Sequence, residues 1–146
     1  MTTTGDGHAG RMDTRAAARR WARTWAEAWP RQDTDAIVDL QAVDGVHWAS
    51  LFRRYDGRDG LRRYLTECFA EEVAPAETWF AEPWVDGDTA AVEYWTTMHL
   101  ADGPATICGC TVLRFDADGL VTEARDYSHV RTGRVPFPAT GARPLG

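Results

Sequence analysis

The chain has 146 residues and 44% hydrophobic content, enough for one domain that buries roughly two-thirds of its unfolded surface. Its formal charge of −6 and pI near 5.1 argue against nucleic acid as a partner, because phosphate binding needs clustered cations. No apolar run approaches the ~20 residues of a membrane span and the start (MTTTGDGHAG) lacks a signal-peptide core, so a cytoplasmic protein with no membrane partner is expected.

In chain order, residues 1–12 read as a flexible Thr/Gly-rich tail, 13–131 as the domain and 132–146 as an extended Pro/Gly/Arg-rich tail. Asp13 or Thr14 can cap a helix over Arg15–Trp29 that stops at Pro30, and Trp21, Trp25 and Trp29 recur along it at i, i+4 and i+8. A short helix over Thr34–Leu40, a strand over Gly45–Leu51 and a third helix over Gly57–Glu72 follow. The third helix carries Leu61, Tyr64, Leu65, Cys68 and Phe69 on one side. From Glu77 the apolar period becomes two. It predicts strands over Glu77–Val85, Thr89–Leu100, Ala105–Phe115 and Leu120–Val130, joined by Asp/Gly reversals into an antiparallel meander. Cys68, Cys108 and Cys110 lack zinc-type spacing and read as free thiols in a reducing compartment.

Several stretches resemble the nuclear transport factor 2-like superfamily, of SnoaL-like type. They are Asp33–Leu40 with Asp44-Gly45-Val46-His47-Trp48, the run Glu82–Trp95, the run Leu113–Val121, and Arg125-Asp126-Tyr127. The resemblance spans about residues 15–130. It implies an α+β cone, a strongly curved antiparallel sheet with three N-terminal helices enclosing a small-molecule pocket. The superfamily holds ketosteroid isomerases, limonene epoxide hydrolases and polyketide cyclases beside non-catalytic binding domains, so the fold alone does not give the activity.

The resemblance implies a pocket face with His47 and Ala49, then Glu93, Trp95, Thr97 and His99, then Ile107, Gly109 and Thr111, and finally Ala124, Asp126 and Ser128. Trp25 joins them from the first helix, and Leu65 and Phe69 from the third. Tyr94, Thr96, Met98, Cys108, Cys110, Val112, Arg114, Glu123, Arg125 and Tyr127 fall on the convex face, the expected homodimer interface. Measured against ketosteroid isomerase, Ala49 stands at the general base, Trp25 at the oxyanion-hole Tyr and Thr111 at the protonated Asp, which removes the proton acceptor. Measured against limonene epoxide hydrolase, Asp126 matches one catalytic Asp, while Glu93 and Trp95 replace its Arg and second Asp.

The expectation that follows is cofactor-independent acid/base chemistry on a hydrophobic, polyketide- or steroid-like substrate: isomerisation, cyclisation or dehydration. Asp126 is the main acid/base, Glu93 the second carboxylate, and His47 an imidazolium partner or second acid/base. Trp25, Trp95, Thr97, His99, Thr111, Leu65, Phe69 and Ser128 contact substrate, and no metal is bound. The other reading keeps Asp126 as an acceptor for Trp25 Nε1 and Thr111, and Glu93 as the ion-pair partner of His47 or His99, in a binding or assembly domain.

Overall fold

The computed structural model describes residues 12–139 and 141–146. Three helices, α1 (Thr14–Arg31), α2 (Thr34–Val38) and α3 (Gly57–Phe69), pack on a seven-stranded sheet. Its strands are β1 (Gln41–Ala49), β2 (Arg53–Asp56), β3 (Glu72–Phe80), β4 (Trp84–Asp86), β5 (Thr89–Leu100), β6 (Gly103–Phe115) and β7 (Val121–Thr132). The strand order is β2-β1-β7-β6-β5-β3, with β4 also on β5. This is the expected α+β class. The sheet is mixed rather than wholly antiparallel, because β1 lies parallel to β7 while every other pair is antiparallel. β1 and β7 are far apart in sequence, so no hairpin dictates their direction. Register shifts in β1, β3 and at the end of β6 bend the strands, and the sheet curls without closing.

Helix α1 starts where Asp13 accepts the Ala16 N–H. It does not stop at Pro30 but continues one residue further, to Arg31. Proline cannot donate to the carbonyl four residues back. That carbonyl, of Ala26, instead accepts the Thr78 hydroxyl of β3 at 2.8 Å. Gln32 then ends the helix in the left-handed region, φ 52°, with its N–H on the Ala28 and Trp29 carbonyls. The buried side of α1 (Ala17, Ala18, Trp21, Ala22, Ala28, Trp29) joins Ile37, Leu61, Leu65, Phe80, Val92 and Leu113 in the core.

Other elements differ from expectation too: β1 opens at Gln41 rather than Gly45, and β2 was not expected. Helix α3 ends at Phe69, and Glu72 opens a strand instead, paired with Leu100. Val73 and Pro75 favour extended backbone there, and Pro75 is tolerated because β3 is an edge strand with irregular register. The expected strand Glu77–Val85 is divided into β3 and β4 around Glu82-Pro83, both parts lying along β5.

Of the N-terminal tail, residues 1–11 lie outside the described residues, and Met12 donates its N–H to Ala117. The C-terminal segment crosses back over the sheet. Arg134 pairs with Glu77 at 2.8 Å, the Val135 N–H bonds Thr106 Oγ1 at 2.9 Å, and Pro144 bridges Ala81. The Gly146 carbonyl accepts from Arg19 and Arg23 of α1. Among the described residues no helix is long and apolar enough to cross a membrane.

Candidate functional site

The concave side of the sheet and the helices above it enclose a cavity of about 80 Å3. Helix α1 contributes Trp21, Trp25 and Trp29, because a spacing of four keeps them on one face. Helix α3 contributes Tyr64, Leu65, Cys68 and Phe69 by the same logic. Strand β1 supplies His47, β3 its first and last residues Glu72 and Phe80, β5 Tyr94 and Met98, β6 Ile107 and Thr111, and β7 Asp126.

Asp126 lines this cavity and is 5% exposed. Tyr94 donates its hydroxyl to Oδ1 at 2.7 Å, and Ser128 donates to Oδ2 at 2.9 Å. Thr111 is its partner across the β6–β7 ladder. Burial raises the Asp126 pKa above the usual carboxylate value, and the donors Tyr94, Ser128 and Thr111 and the charge of Arg53 only partly offset it. Tyr94 and Tyr64 are both pushed well above the ordinary phenol value, first by burial and then by neighbours that include Asp126, so both remain protonated donors.

His47 is equally buried. Its ring lies 4.6 Å from the Tyr64 ring, and Tyr64 in turn packs on Tyr55 at 5.1 Å. Burial, and secondarily the Arg53 charge, lower its pKa to about 4. The imidazole is therefore neutral near neutral pH, which leaves no support for an imidazolium partner. Its Nε2 is shielded from water and has no hydrogen-bond partner. A buried unpaired ring nitrogen on a cavity wall is a ready contact for a polar ligand atom.

Glu72 is the second carboxylate of the cavity. Trp29 Nε1 donates to both its oxygens, at 3.2 and 3.1 Å. Burial raises its pKa, opposed by the Trp29 N–H and by the charge of His99.

The structure brings together Asp126, His47, Trp25, Thr111, Leu65 and Phe69 around the cavity, and Ser128 reaches it through Asp126. Glu93, Trp95, Thr97 and His99 lie on the other side of β5 from Tyr94 and Met98, and so face away from the cavity. Their inward placement is corrected by the pairing of the hairpin. Val92 lies opposite Thr111 and Tyr94 opposite Gly109, whereas Glu93 lies opposite Cys110 on the outer face. His99 there bonds Glu77 at 3.0 Å. Thr97 is buried, but on that outer side. His47 and Asp126 thus do not share a face with Glu93 and His99.

The sequence reading missed Tyr94, Met98 and Glu72 as cavity residues. The signal for the first two was in the turn. A hairpin with an even number of loop residues pairs even-numbered positions with odd ones, so Thr111 and Glu93 cannot share a face unless a bulge intervenes. For Glu72 the signal was Pro75, which argues against a helix running to that point. The three cysteines are free, as their spacing suggested.

Solved structures share this architecture. A protein of ketosteroid isomerase-like fold from Catenulispora acidiphila DSM 44928, in complex with trimethylamine, is 22% identical with a TM-score of 0.63, over 72% of this chain and 82% of that one. An M. tuberculosis LEH-like epoxide hydrolase is 22% identical with a TM-score of 0.64, over 78% and 84%. SalBIII, an epoxide hydrolase/cyclase-like enzyme of pyran ring formation in the polyether salinomycin, is 16% identical with a TM-score of 0.66, over 80% and 93%. At these identities the likeness shows the fold alone. No curated protein matches the sequence. The model of the SnoaL-like domain matches residues 6–124, most of the chain, and the protein belongs to that family.

Proposed function

We propose that the cavity is a cofactor-independent acid/base site acting on a hydrophobic small molecule, by isomerisation, cyclisation or dehydration, with Asp126 as the proton-transferring group. The observation that carries the reading is a buried, desolvated carboxyl on the same cavity as an unpartnered neutral imidazole. A raised pKa lets Asp126 keep a proton closer to neutral pH and deliver it to a carbonyl, hydroxyl or ether oxygen, or take one in its ionised form. Tyr94 and Ser128 hold the carboxyl in place, and His47 Nε2 is free to orient the polar atom of the substrate. The rings of Trp21, Trp25, Trp29 and Tyr94 pack the hydrocarbon part. Glu93 has no part in this scheme. The presence of an epoxide hydrolase and a cyclase-like enzyme among proteins of this fold supports a catalytic reading.

A binding domain is the second reading, favoured by one observation: both Asp126 oxygens already accept a hydrogen bond. Incubation with hydrophobic epoxides, hydroxyketones and β,γ-enones, read by mass spectrometry, separates the two. The acid/base reading expects turnover of at least one class, and a loss on the order of 10²-fold or more in Asp126→Asn. Binding without turnover across all three, or an active Asp126→Asn variant, selects the binding domain.

We also propose a homodimer through the outer sheet face, where Trp48, Trp95 and Tyr127 lie while Tyr94 and Met98 do not. Tyr127 is 42% exposed, and with Trp48, Leu51 and Arg125 it lines a shallow groove. A monomeric mass by light scattering at micromolar concentration would remove this proposal.

A further inference from the structure

Five rings of the cavity form a closed circuit. Trp21 and Trp25 have centroids 5.8 Å apart, Trp25 and Trp29 5.8 Å, Trp29 and Tyr94 6.3 Å, Tyr94 and Phe80 5.6 Å, and Phe80 and Trp21 6.1 Å. Glu72 and Asp126 add two carboxylates, and no arginine is among the lining residues. Among the described residues Glu72 takes part in no ion pair. Its position is fixed by the neutral Trp29 N–H, which orients the carboxylate without cancelling its charge. His47, the one basic side chain on the wall, is neutral. The nearby cations sit outside, among them His99, whose charge bears on Glu72 while its ring bonds Glu77 on the outer face. Arg53 lies 5.9 Å from the Tyr64 ring without lining the cavity, and exposed Arg31 shares an outer groove with Glu72.

Aromatic faces carry the negative part of the ring quadrupole, so they attract cations as the carboxylates do. An anion entering this space meets repulsion from Glu72 and finds no cation to pair with. A neutral ligand gains burial and a polar contact at His47 Nε2 but nothing from the Glu72 charge. A cation sheathed in hydrocarbon gains burial, ring contact and the unpaired charge of Glu72 together, and is less costly to dehydrate than a bare ammonium. Glu72 also borders the groove outside the cavity.

We infer that the cavity selects an alkylammonium ligand, a tertiary or quaternary amine with its substituents among the rings of Trp21, Trp25 and Trp29 and its charge toward Glu72. The inference deepens the acid/base reading by naming the substrate class of the same site, and rests on that site being where the ligand binds.

The test is calorimetry on the full chain with choline and with 3,3-dimethylbutan-1-ol, which has carbon in place of the ammonium nitrogen. Choline is expected to bind about tenfold more tightly or better. Glu72→Gln should shrink that ratio below about threefold, with little change for the alcohol. Trp25 is half-buried, so Trp25→Leu provides a second variant should Glu72→Gln fold poorly, and it too should lower the preference. Equal binding of the two probes, no binding of choline at millimolar concentration, or a ratio unchanged in both variants overturns the inference. Equal binding leaves the acid/base reading intact, whereas absent turnover removes that reading and leaves the charge preference standing.

Discussion

Tyr94 and Asp126 are joined by a 2.7 Å hydrogen bond although a whole strand, β6, lies between theirs. Gly109 is the residue opposite Tyr94 on that strand, and Ser128 lies opposite Gly109 in turn. The bond ties β5 to β7 across the concave face and settles which side of β5 belongs to the cavity.

Removing that donor gives the first prediction. Because the Tyr94 hydroxyl favours the ionised carboxylate, Tyr94→Phe should raise the Asp126 pKa further. It should also lower stability by about 1–3 kcal/mol at neutral pH, as expected for a lost bond to a buried charged group. Carboxyl titration by NMR and urea denaturation check the two halves, and an unmoved Asp126 titration would contradict the first.

His47 predicts an acid limb. Its folded pKa of about 4 lies below the unfolded value of 6.5, so the unfolded chain binds more protons between those values. Its contribution to stability is complete above about pH 6.5 and is lost as pH falls through about 4, on the order of 3 kcal/mol in all. His47→Gln should flatten the urea midpoint between pH 4 and 6.5. In the parent protein the His47 ring should show no NMR titration between pH 5.5 and 7.

Asp126 and Glu72 act with the opposite sign. Both folded pKa values are raised, from 3.8 and 4.5, so the folded state holds their protons more tightly. Stability from these two groups is present below the unfolded values and declines as pH rises through the folded ones. Asp126→Asn should therefore lose that decline, and its melting temperature should gain on the parent as pH rises from about 4 to 7. A variant that falls further behind the parent over that range would show a carboxylate stabilised by its donors rather than strained by burial.

Gly109 should tolerate no side chain. A Cβ there would stand 2.8 Å from both Ser128 Cα and Ser128 Cβ and would also meet the Tyr127 carbonyl. Gly109→Ala is expected to cost about 1–3 kcal/mol by overpacking. Because Ser128 is the neighbour pushed, the Asp126 environment should change with it. An unchanged urea midpoint would mean that the β6–β7 ladder yields freely.

The Pro30 arrangement makes a double-mutant prediction. Thr78→Val should cost about 1 kcal/mol by leaving the Ala26 carbonyl without its donor. In a Pro30→Ala background, residue 30 regains an N–H for that carbonyl, and the cost of Thr78→Val should shrink. Additive costs would show that the hydroxyl contributes through packing instead.

The sequence by itself determined the family, the order of elements apart from β2 and the division of β3 from β4, and the cavity placement of several residues. Trp25, Thr111 and Asp126 follow from the family resemblance, and Leu65 and Phe69 from the apolar side of α3. Asp13 was legible as a helix cap because capping is a local interaction. What only the tertiary structure decided was phase and partnership. Strand β5 carries Val92, Tyr94 and Met98 on one face and Glu93, Trp95, Thr97 and His99 on the other, and the resemblance had turned the more polar face inward. The β5–β6 register chose, and a shift of one residue exchanges Glu93 for Tyr94 in the cavity. In the same way, α1 passes through Pro30 because Thr78, 52 positions away from Ala26, supplies the missing donor, and Glu72 reaches the cavity because its backbone pairs with Leu100 rather than extending α3. Local propensity is written in neighbouring residues, but the face a side chain shows is fixed by which distant strand its backbone bonds.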